Sequence, residues 1–234
     1  MVEIVRVDIK KAGYIENEAV IENIEFDIPN GELVGLIGAN GAGKSTTIQA
    51  IMKTAPFLEG ECDVETYGYV PERPIIYEYF TLSEHIDFLI RTVKQDERVL
   101  RKRAEELCKV FRLEQKLHEY PTNFSKGMQQ KVMLILALTP TYDFYILDEP
   151  FMGLDPQAIR KLIQLIEDYK NRGAAILMST HALDTAEKIC DQFVLIHKGT
   201  LLKKGTLEEL QRHKDEPLLE IFDDLIEDAD HGKL

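Results

Sequence analysis

Nine consecutive residues, Gly38-Ala39-Asn40-Gly41-Ala42-Gly43-Lys44-Ser45-Thr46, combine glycines, a lysine and hydroxyls in an order suited to holding an anion. Glycine lets the backbone adopt open conformations that aim successive N–H groups at phosphate oxygens. A helix starting at the end of the run directs its partial positive charge at the same anion. Lys44 adds a mobile point charge that reaches terminal phosphates, and the Ser45 hydroxyl is a hard oxygen ligand for Mg²⁺. The run satisfies the spacing G-x-x-x-x-G-K-[ST] of a P-loop. A bare Gly-rich turn is the poorer reading, because an apolar run precedes the loop and a helical pattern follows it. Alone, the loop implies only a nucleotide, since kinases, GTPases, helicases and ATPases all use it.

Phe144-Tyr145-Ile146-Leu147-Asp148-Glu149 reads as an apolar strand ending in two carboxylates. A carboxylate at the C-terminal edge of a strand beside a P-loop can hold Mg²⁺, usually through water, and that role suits Asp148. Glu149, one residue on, is then free to orient or deprotonate an attacking water. Acidic pairs at strand ends are common on surfaces; the preceding P-loop is what gives this pair a chemical reading. Ser125 stands before an apolar helical pattern and is a good N-cap. Its hydroxyl, the Gly127 N–H and the helix dipole together make a second anion site.

Periodicity indicates the strands and helices that carry these groups. Val5, Val7 and Ile9 alternate with Arg6, Asp8 and Lys10, and Ile24, Phe26 and Ile28 repeat the pattern before a turn at Pro29-Asn30-Gly31. Leu33–Ile37 has the unbroken apolar character of a buried parallel strand, and Thr46–Lys53 reads as a helix. Thr81-Leu82-Ser83-Glu84 has the form of a capping box, and Leu100, Ala104, Leu107 and Phe111 follow at helical spacing. Residues 81–140 are therefore expected to form a helical subdomain inside an α/β core. Strand signals return at Phe144–Leu147, Ala175–Ser179 and Phe193–Ile196, and Lys198-Gly199 reads as a hairpin turn into Leu201-Leu202. Between Asp215 and Asp230 lie eight carboxylates and no Lys or Arg. Leu218, Leu219, Phe222, Leu225 and Ile226 still form an apolar face there, which predicts a docked helix over part of 211–234.

Composition narrows the class. A chain of 234 residues suits one α/β domain, here 1–210, with a full hydrophobic core. The longest apolar run, Val132–Leu138, is far short of the ~20 residues that span a bilayer, and Met1–Arg6 lacks the form of a signal peptide. Any work at a membrane would need a partner to supply the span. The net charge of −13 argues against a generic nucleic-acid binder, and nucleic acid is not an expected partner. Cys62, Cys108 and Cys190 are far apart without metal-ligand spacing and read as reduced thiols, which points to cytoplasm.

Phe124-Ser125-Lys126-Gly127-Met128-Gln129-Gln130-Lys131-Val132 resembles the ATP-binding cassette signature, L-S-G-G-Q followed by x-Q-R-V. Ser125, Gly127 and Gln130 match, with Lys131 for Arg; Phe124, Lys126 and Met128 depart from it. Gly153-Leu154-Asp155 looks like the D-loop, with Asp155 at its acidic position. Ser179-Thr180-His181 resembles the switch segment, where His181 would contact the γ-phosphate. Tyr14 sits where the family places an aromatic that stacks on adenine, though an isolated Tyr can equally pack. Glu72, in Tyr69-Val70-Pro71-Glu72, occupies the Q-loop position usually held by Gln; it can serve Mg²⁺ or water but lacks the amide donor. The resemblance runs from about residue 3 to 210.

That resemblance implies a P-loop α/β core with a trimmed N-terminal antiparallel β portion and the inserted helical subdomain. It implies ATP and Mg²⁺ as ligands, with Ser45, Asp148 and Glu72 toward the metal, Lys44, Glu149 and His181 catalytic, and Ser125 and Gly127 gripping the γ-phosphate held by an opposite subunit. The partners implied are a second nucleotide-binding subunit, identical or paralogous, and an integral membrane transporter subunit on the inner face of the cell membrane. A soluble cassette ATPase, acting as a scaffold or in DNA maintenance or translation, is the rival reading. Pro217–Leu225 resembles the terminal helix of export-type cassettes, no added C-terminal regulatory domain is seen, and the Phe-Ser-Lys-Gly-Met signature with a Pro-Glu Q-loop is similar to Ecs-type bacterial subunits, so export is the expected direction.

Overall fold

The computed structural model describes residues 4–16 and 18–231, so Met1-Val2-Glu3 of the N-terminal reading and Gly232-Lys233-Leu234 of the acidic tail lie outside them. Two compact units divide the chain. The first is Met1–Tyr67, Asp143–Ile146 and Lys170–Leu234; the second is Gly68–Tyr142 and Leu147–Tyr169.

In the first unit, β1 (Ile4–Gly13) and β2 (Ile21–Pro29) pair antiparallel, with Val7 opposite Phe26 and Ile9 opposite Ile24. The alternation seen in the sequence is the burial pattern: Val5, Val7, Ile9, Ile24, Phe26 and Ile28 face inward. Farther along the chain, β4 (Phe57–Cys62) completes this sheet on the other side of β1, with a register shift between Ile9 and Lys11. Gly60 (φ 129°) sits at the shift, where a Cβ would lie 2.1 Å from the Asp8 carbonyl oxygen.

A second sheet carries the phosphate loop. Strand β3 (Leu33–Ile37) is buried throughout and lies parallel to β7 (Ala175–Thr180) and β8 (Gln192–His197). Strands β6 (Phe144–Asp148), β7, β3, β8 and β9 (Thr200–Gly205) lie side by side in that order. After β3 comes α1 (Lys44–Ile51). The sequence pattern predicts Thr46–Lys53; the helix begins earlier because the loop lysine is itself in its first turn, and it stops earlier because Lys53 takes a positive φ of 57°. Helices α6 (Leu183–Ile189), α7 (Leu207–Leu210) and α8 (Leu218–Asp230) pack on this sheet through Ala186, Leu210, Leu218, Ile221 and Phe222. Each large side chain of that cluster contributes about 1.5–3 kcal/mol of burial. The acidic segment is thus a docked helix.

The second unit holds β5 (Gly68–Val70), α2 (Leu82–Thr92), α3 (Glu97–Val110), α4 (Lys126–Leu138) and α5 (Pro156–Asn171, to Tyr169 in this unit). Thr81 and Glu84 form the expected capping box, and Asp96 caps α3 through the N–H groups of Arg98 and Val99. Leu100, Ala104 and Leu107 of α3 are buried, as are Val132, Leu134 and Ile135 of α4. The buried C-terminal end of α4 is closed by Tyr169 and Arg103, which both donate to the Leu138 carbonyl. No described helix is long and apolar enough to cross a membrane. The three cysteines are free, and burial pushes the Cys62 and Cys108 thiols up to about 11 and Cys190 to about 12, leaving them poor nucleophiles.

Candidate functional site

The phosphate cradle belongs to the first unit. Buried β3 delivers the chain to Gly38, where a Cβ would stand 2.8 Å from the Ile196 carbonyl oxygen and 2.9 Å from the Ala42 Cβ. Only glycine lets the loop leave the strand so close to β8. Ala39, Asn40 and Gly41 are exposed, and Ala42 N–H donates back to Ala39 O at 3.0 Å, which closes a tight turn. Gly43 caps α1 with φ 109°, a left-handed value that disfavours any side chain. The first N–H groups of α1 have no carbonyl four residues earlier in the helix, so they form the positive end of the cradle.

Lys44 is 8% exposed, and its Nζ donates to Gly38 O at 2.7 Å and to Ala39 O at 3.4 Å. The ammonium is therefore folded over the loop it serves, already stripped of most bulk water. Ser45 is exposed on the same first turn. Thr46 is buried, with the Tyr14 hydroxyl 3.3 Å from its Oγ1. That contact fixes the Tyr14 ring beside the start of α1 while leaving the residue 52% exposed, as a stacking platform requires. Register brings His181 to this end as well. Ile37 pairs with Thr180, so Gly38 and His181 leave adjacent strand ends. The Thr180 hydroxyl accepts from Ala182 N–H at 3.0 Å, turning the chain so that His181 is exposed.

The second unit carries the carboxylates and the residues of the candidate second anion site. Asp148 (5% exposed) and Glu149 (8%) stand at the end of β6. Glu149 has φ 47°, a left-handed conformation that costs a residue with a Cβ of order 1 kcal/mol or more and is typical of functional turns. Glu72 is half-buried in the turn that follows β5 and buried Pro71. Ser125 caps α4, its Oγ accepting from Met128 N–H at 3.3 Å, and both Ser125 and Lys126 are exposed. Beside them Gly127 is pressed against the 153–155 turn: a Cβ there would lie 2.2 Å from Gly153 O.

Lys131 ties the same two segments electrostatically. Its Nζ donates to Asp155 Oδ2 at 2.7 Å, while Asp155 Oδ1 accepts from the N–H groups of Gln157 and Ala158 and so caps α5. The Lys131 ammonium first, and then the Ala158 N–H, draw the Asp155 carboxyl down to about 2. Sequence patterns place Asp155 but not its lysine, 24 residues away, and give no signal for the positive φ of Glu149. Gln130, buried in α4, leaves its Nε2 without a partner among the described residues, a cost of about 1–3 kcal/mol. Within each unit the sequence-derived residues thus converge: Tyr14, Gly38–Thr46 and His181 in one, and Ser125–Gly127 with the turn to Asp155 in the other.

Comparison with known proteins agrees with this chemistry. The family profile described as ABC transporter matches residues 21–152. An uncharacterized ABC transporter ATP-binding protein, YthP of Bacillus subtilis (strain 168), is 44% identical over 90% of this chain and 90% of its own length. The ABC-type transporter ATP-binding protein EcsA of the same organism is 41% identical over 94% of this chain and 95% of its own. A solved structure described as the ATP binding subunit of an ABC transporter superposes with a TM-score of 0.90 at 38% identity, over 95% of this chain and 99% of that one.

Proposed function

The chain belongs to the ABC transporter family, and from that premise we propose that it is the ATP-hydrolysing subunit powering a separate membrane-spanning chain from the cytoplasmic face. The observation that carries the nucleotide reading is the cradle itself: a glycine loop with no room for a Cβ at Gly38 or Gly43, ending on a helix N-terminus, with Lys44 folded over it. ATP places its β- and γ-phosphates against the backbone of Gly38–Thr46, and Tyr14 stacks on the adenine. Lys44 exchanges its loop carbonyls for phosphate oxygens, so that a neutral acceptor is replaced by a charged one.

Mg²⁺ fits the donors available, because the Ser45 hydroxyl and the carboxylates of Asp148 and Glu72 are hard oxygen ligands of the kind it takes alongside phosphates. When bound, it neutralises phosphate charge. Glu149 orients the attacking water and accepts its proton, and its left-handed backbone sets the direction in which the side chain leaves the end of β6. His181 contacts the γ-phosphate. Most of the catalysis is positioning, since phosphoryl transfer needs little covalent help. A second copy or a paralogue supplies its own Ser125 and Gly127 to the γ-phosphate, in a head-to-tail pair that holds two nucleotides; the exposure of Ser125 and Lys126 at the start of α4 supports that role. In the second unit Ile75, Tyr77, Tyr79 and Phe88 are exposed, an apolar surface suited to the membrane subunit. Export is the direction we favour, on the resemblance of Pro217–Leu225 to terminal helices of export-type cassettes.

Phosphate release and light scattering test this reading. Lys44→Ala should abolish hydrolysis. Glu149→Gln should bind ATP, turn over at a rate lower by about 10²–10⁴-fold, and accumulate as a dimer. A hydrolytically normal Lys44→Ala would refute the cradle. A monomeric Glu149→Gln in saturating MgATP, with the membrane partner present, would refute the paired mechanism.

A further inference from the structure

The acidic C-terminal segment is the sequence feature that the nucleotide chemistry leaves unused. As α8, it shares a buried cluster with Ile37 and Leu195 through Leu218, Ile221 and Phe222. Ile37 immediately precedes Gly38, so the buried cluster that holds α8 includes the residue from which the chain enters the phosphate loop. The far end of α8 reaches the same loop by a polar route. Asp230 Oδ1 accepts from Lys198 Nζ at 2.7 Å and lies 3.1 Å from His197 Nε2. Lys198 and Gly199 make the β8–β9 turn, with φ of 45° and 80°. Gly199 N–H donates to Ala42 O inside the loop at 2.9 Å, and Gly199 O accepts from Glu22 N–H at 2.8 Å. There is little slack at this junction: a Cβ on Gly199 would lie 2.1 Å from Val20 O, and one on Gly43 would lie 2.5 Å from Ile21 Cγ2.

Two placements along this route break local rules. Lysine is disfavoured at positive φ, where Asn or Gly is the usual choice in a two-residue hairpin turn. Carboxylates in the last turn of a helix face the negative end of its dipole, yet α8 ends Glu227-Asp228-Ala229-Asp230 with no basic residue there. The two faults meet and offset each other, since the cation that Asp230 lacks on its own helix is Lys198. Paired violations of local preference mark positions held for a tertiary reason.

We propose that Asp230 is a positioning residue for nucleotide binding: through Lys198 and Gly199 it holds Ala42 and Gly43 in the phosphate-receiving conformation, so the C-terminal helix sets the affinity of the loop. This rests on the reading that Gly38–Thr46 holds the phosphates. Lys198 and Asp230 are both exposed, so the lever moves affinity a few-fold and not by orders of magnitude.

Isothermal titration of the full chain with MgADP, which binds without turnover, tests the proposal. Asp230→Ala and Lys198→Ala should each raise Kd about two- to fivefold. The double variant should be no weaker than the worse single one, and Asp230→Glu should recover most of the loss. Melting midpoints should stay within about 2 °C of wild type. Wild-type affinity in Asp230→Ala, additive effects in the double variant, or a lowered melting point at unchanged Kd would each overturn the proposal. Lys44→Ala serves as the reference: if it loses MgADP while Asp230→Ala does not, only the positioning role fails. If Lys44→Ala binds normally, the reading of the loop fails and the proposal with it.

Discussion

Gly127→Ala isolates the mechanical link between the start of α4 and the turn that follows Glu149. The added methyl would stand 2.2 Å from Gly153 O, so the two segments must separate by about 0.8 Å to reach even the tightest tolerated contact of 3.0 Å. Gly153 (φ 73°) already occupies a left-handed turn, and Asp155 two residues on is held by Lys131 and by the N–H groups of α5, so the turn has little freedom to retreat. The substitution also brings a gain, because alanine in a helix is favoured over glycine by about 1 kcal/mol. That gain partly offsets an overpacking cost of about 1–3 kcal/mol, so global stability should fall by no more than about 2 kcal/mol. Activity should respond differently. Displacing catalytic geometry by about 1 Å costs on the order of 10²-fold in rate, whereas the phosphate cradle lies in the other compact unit. Steady-state phosphate release with ATP should therefore fall on the order of 10²-fold, while MgADP affinity stays within about twofold of wild type. A folded Gly127→Ala protein with wild-type turnover, or one that loses MgADP affinity in proportion to rate, would refute this reasoning.

Tyr14→Ala should weaken ATP by roughly 1–3 kcal/mol of lost stacking and leave inorganic triphosphate affinity unchanged, whereas Tyr14→Trp should retain ATP; equal loss of both ligands would show that Tyr14 only packs on Thr46. Glu72→Gln should make ATP affinity less dependent on Mg²⁺, because a carboxylate repels the γ-phosphate without the metal; identical affinity ratios with and without Mg²⁺ in both proteins would sink the idea. For Asp155 the folded carboxyl lies near 2, below its ordinary 3.8. Its contribution is therefore complete above about pH 4 and lost as pH falls toward 2. The group is half-exposed, so the effect is small. Urea midpoints at pH 5, 3.5 and 2.5 should fall less steeply in Asp155→Asn than in wild type, and parallel slopes would contradict the assigned ion pair.

Much of the cradle was legible in the sequence because it is built from neighbours. Gly38, Gly41, Gly43, Lys44 and Ser45 act through backbone conformation and one helix end, all within nine residues. The same locality made the Thr81–Glu84 capping box and the Ser125 cap readable, since each joins residues three apart. Helix limits were less legible: α1 begins at Lys44 and not Thr46, because a capping glycine at positive φ leaves no mark on hydrophobic periodicity. Strand β4 carries no clear alternation, and its existence depends on pairing with β1 around the shift at Gly60.

Residue types and short-range spacing alone supplied the chemical candidates: a P-loop, an acidic pair after an apolar strand, a helix start capped by Ser125 and an acidic amphipathic end. Tertiary structure decided which members touch. Register put Thr180 opposite Ile37, and so His181 beside Gly38. Close packing chose Gly153 as the neighbour of Gly127, Lys131 as the partner of Asp155, and Lys198 as the partner of Asp230. Those pairs are 26, 24 and 32 residues apart. Local periodicity reports the face a residue turns toward the core, whereas contacts at such separations depend on strand order and on how helices pack. That is why the residue types could be read directly and the couplings between them could not.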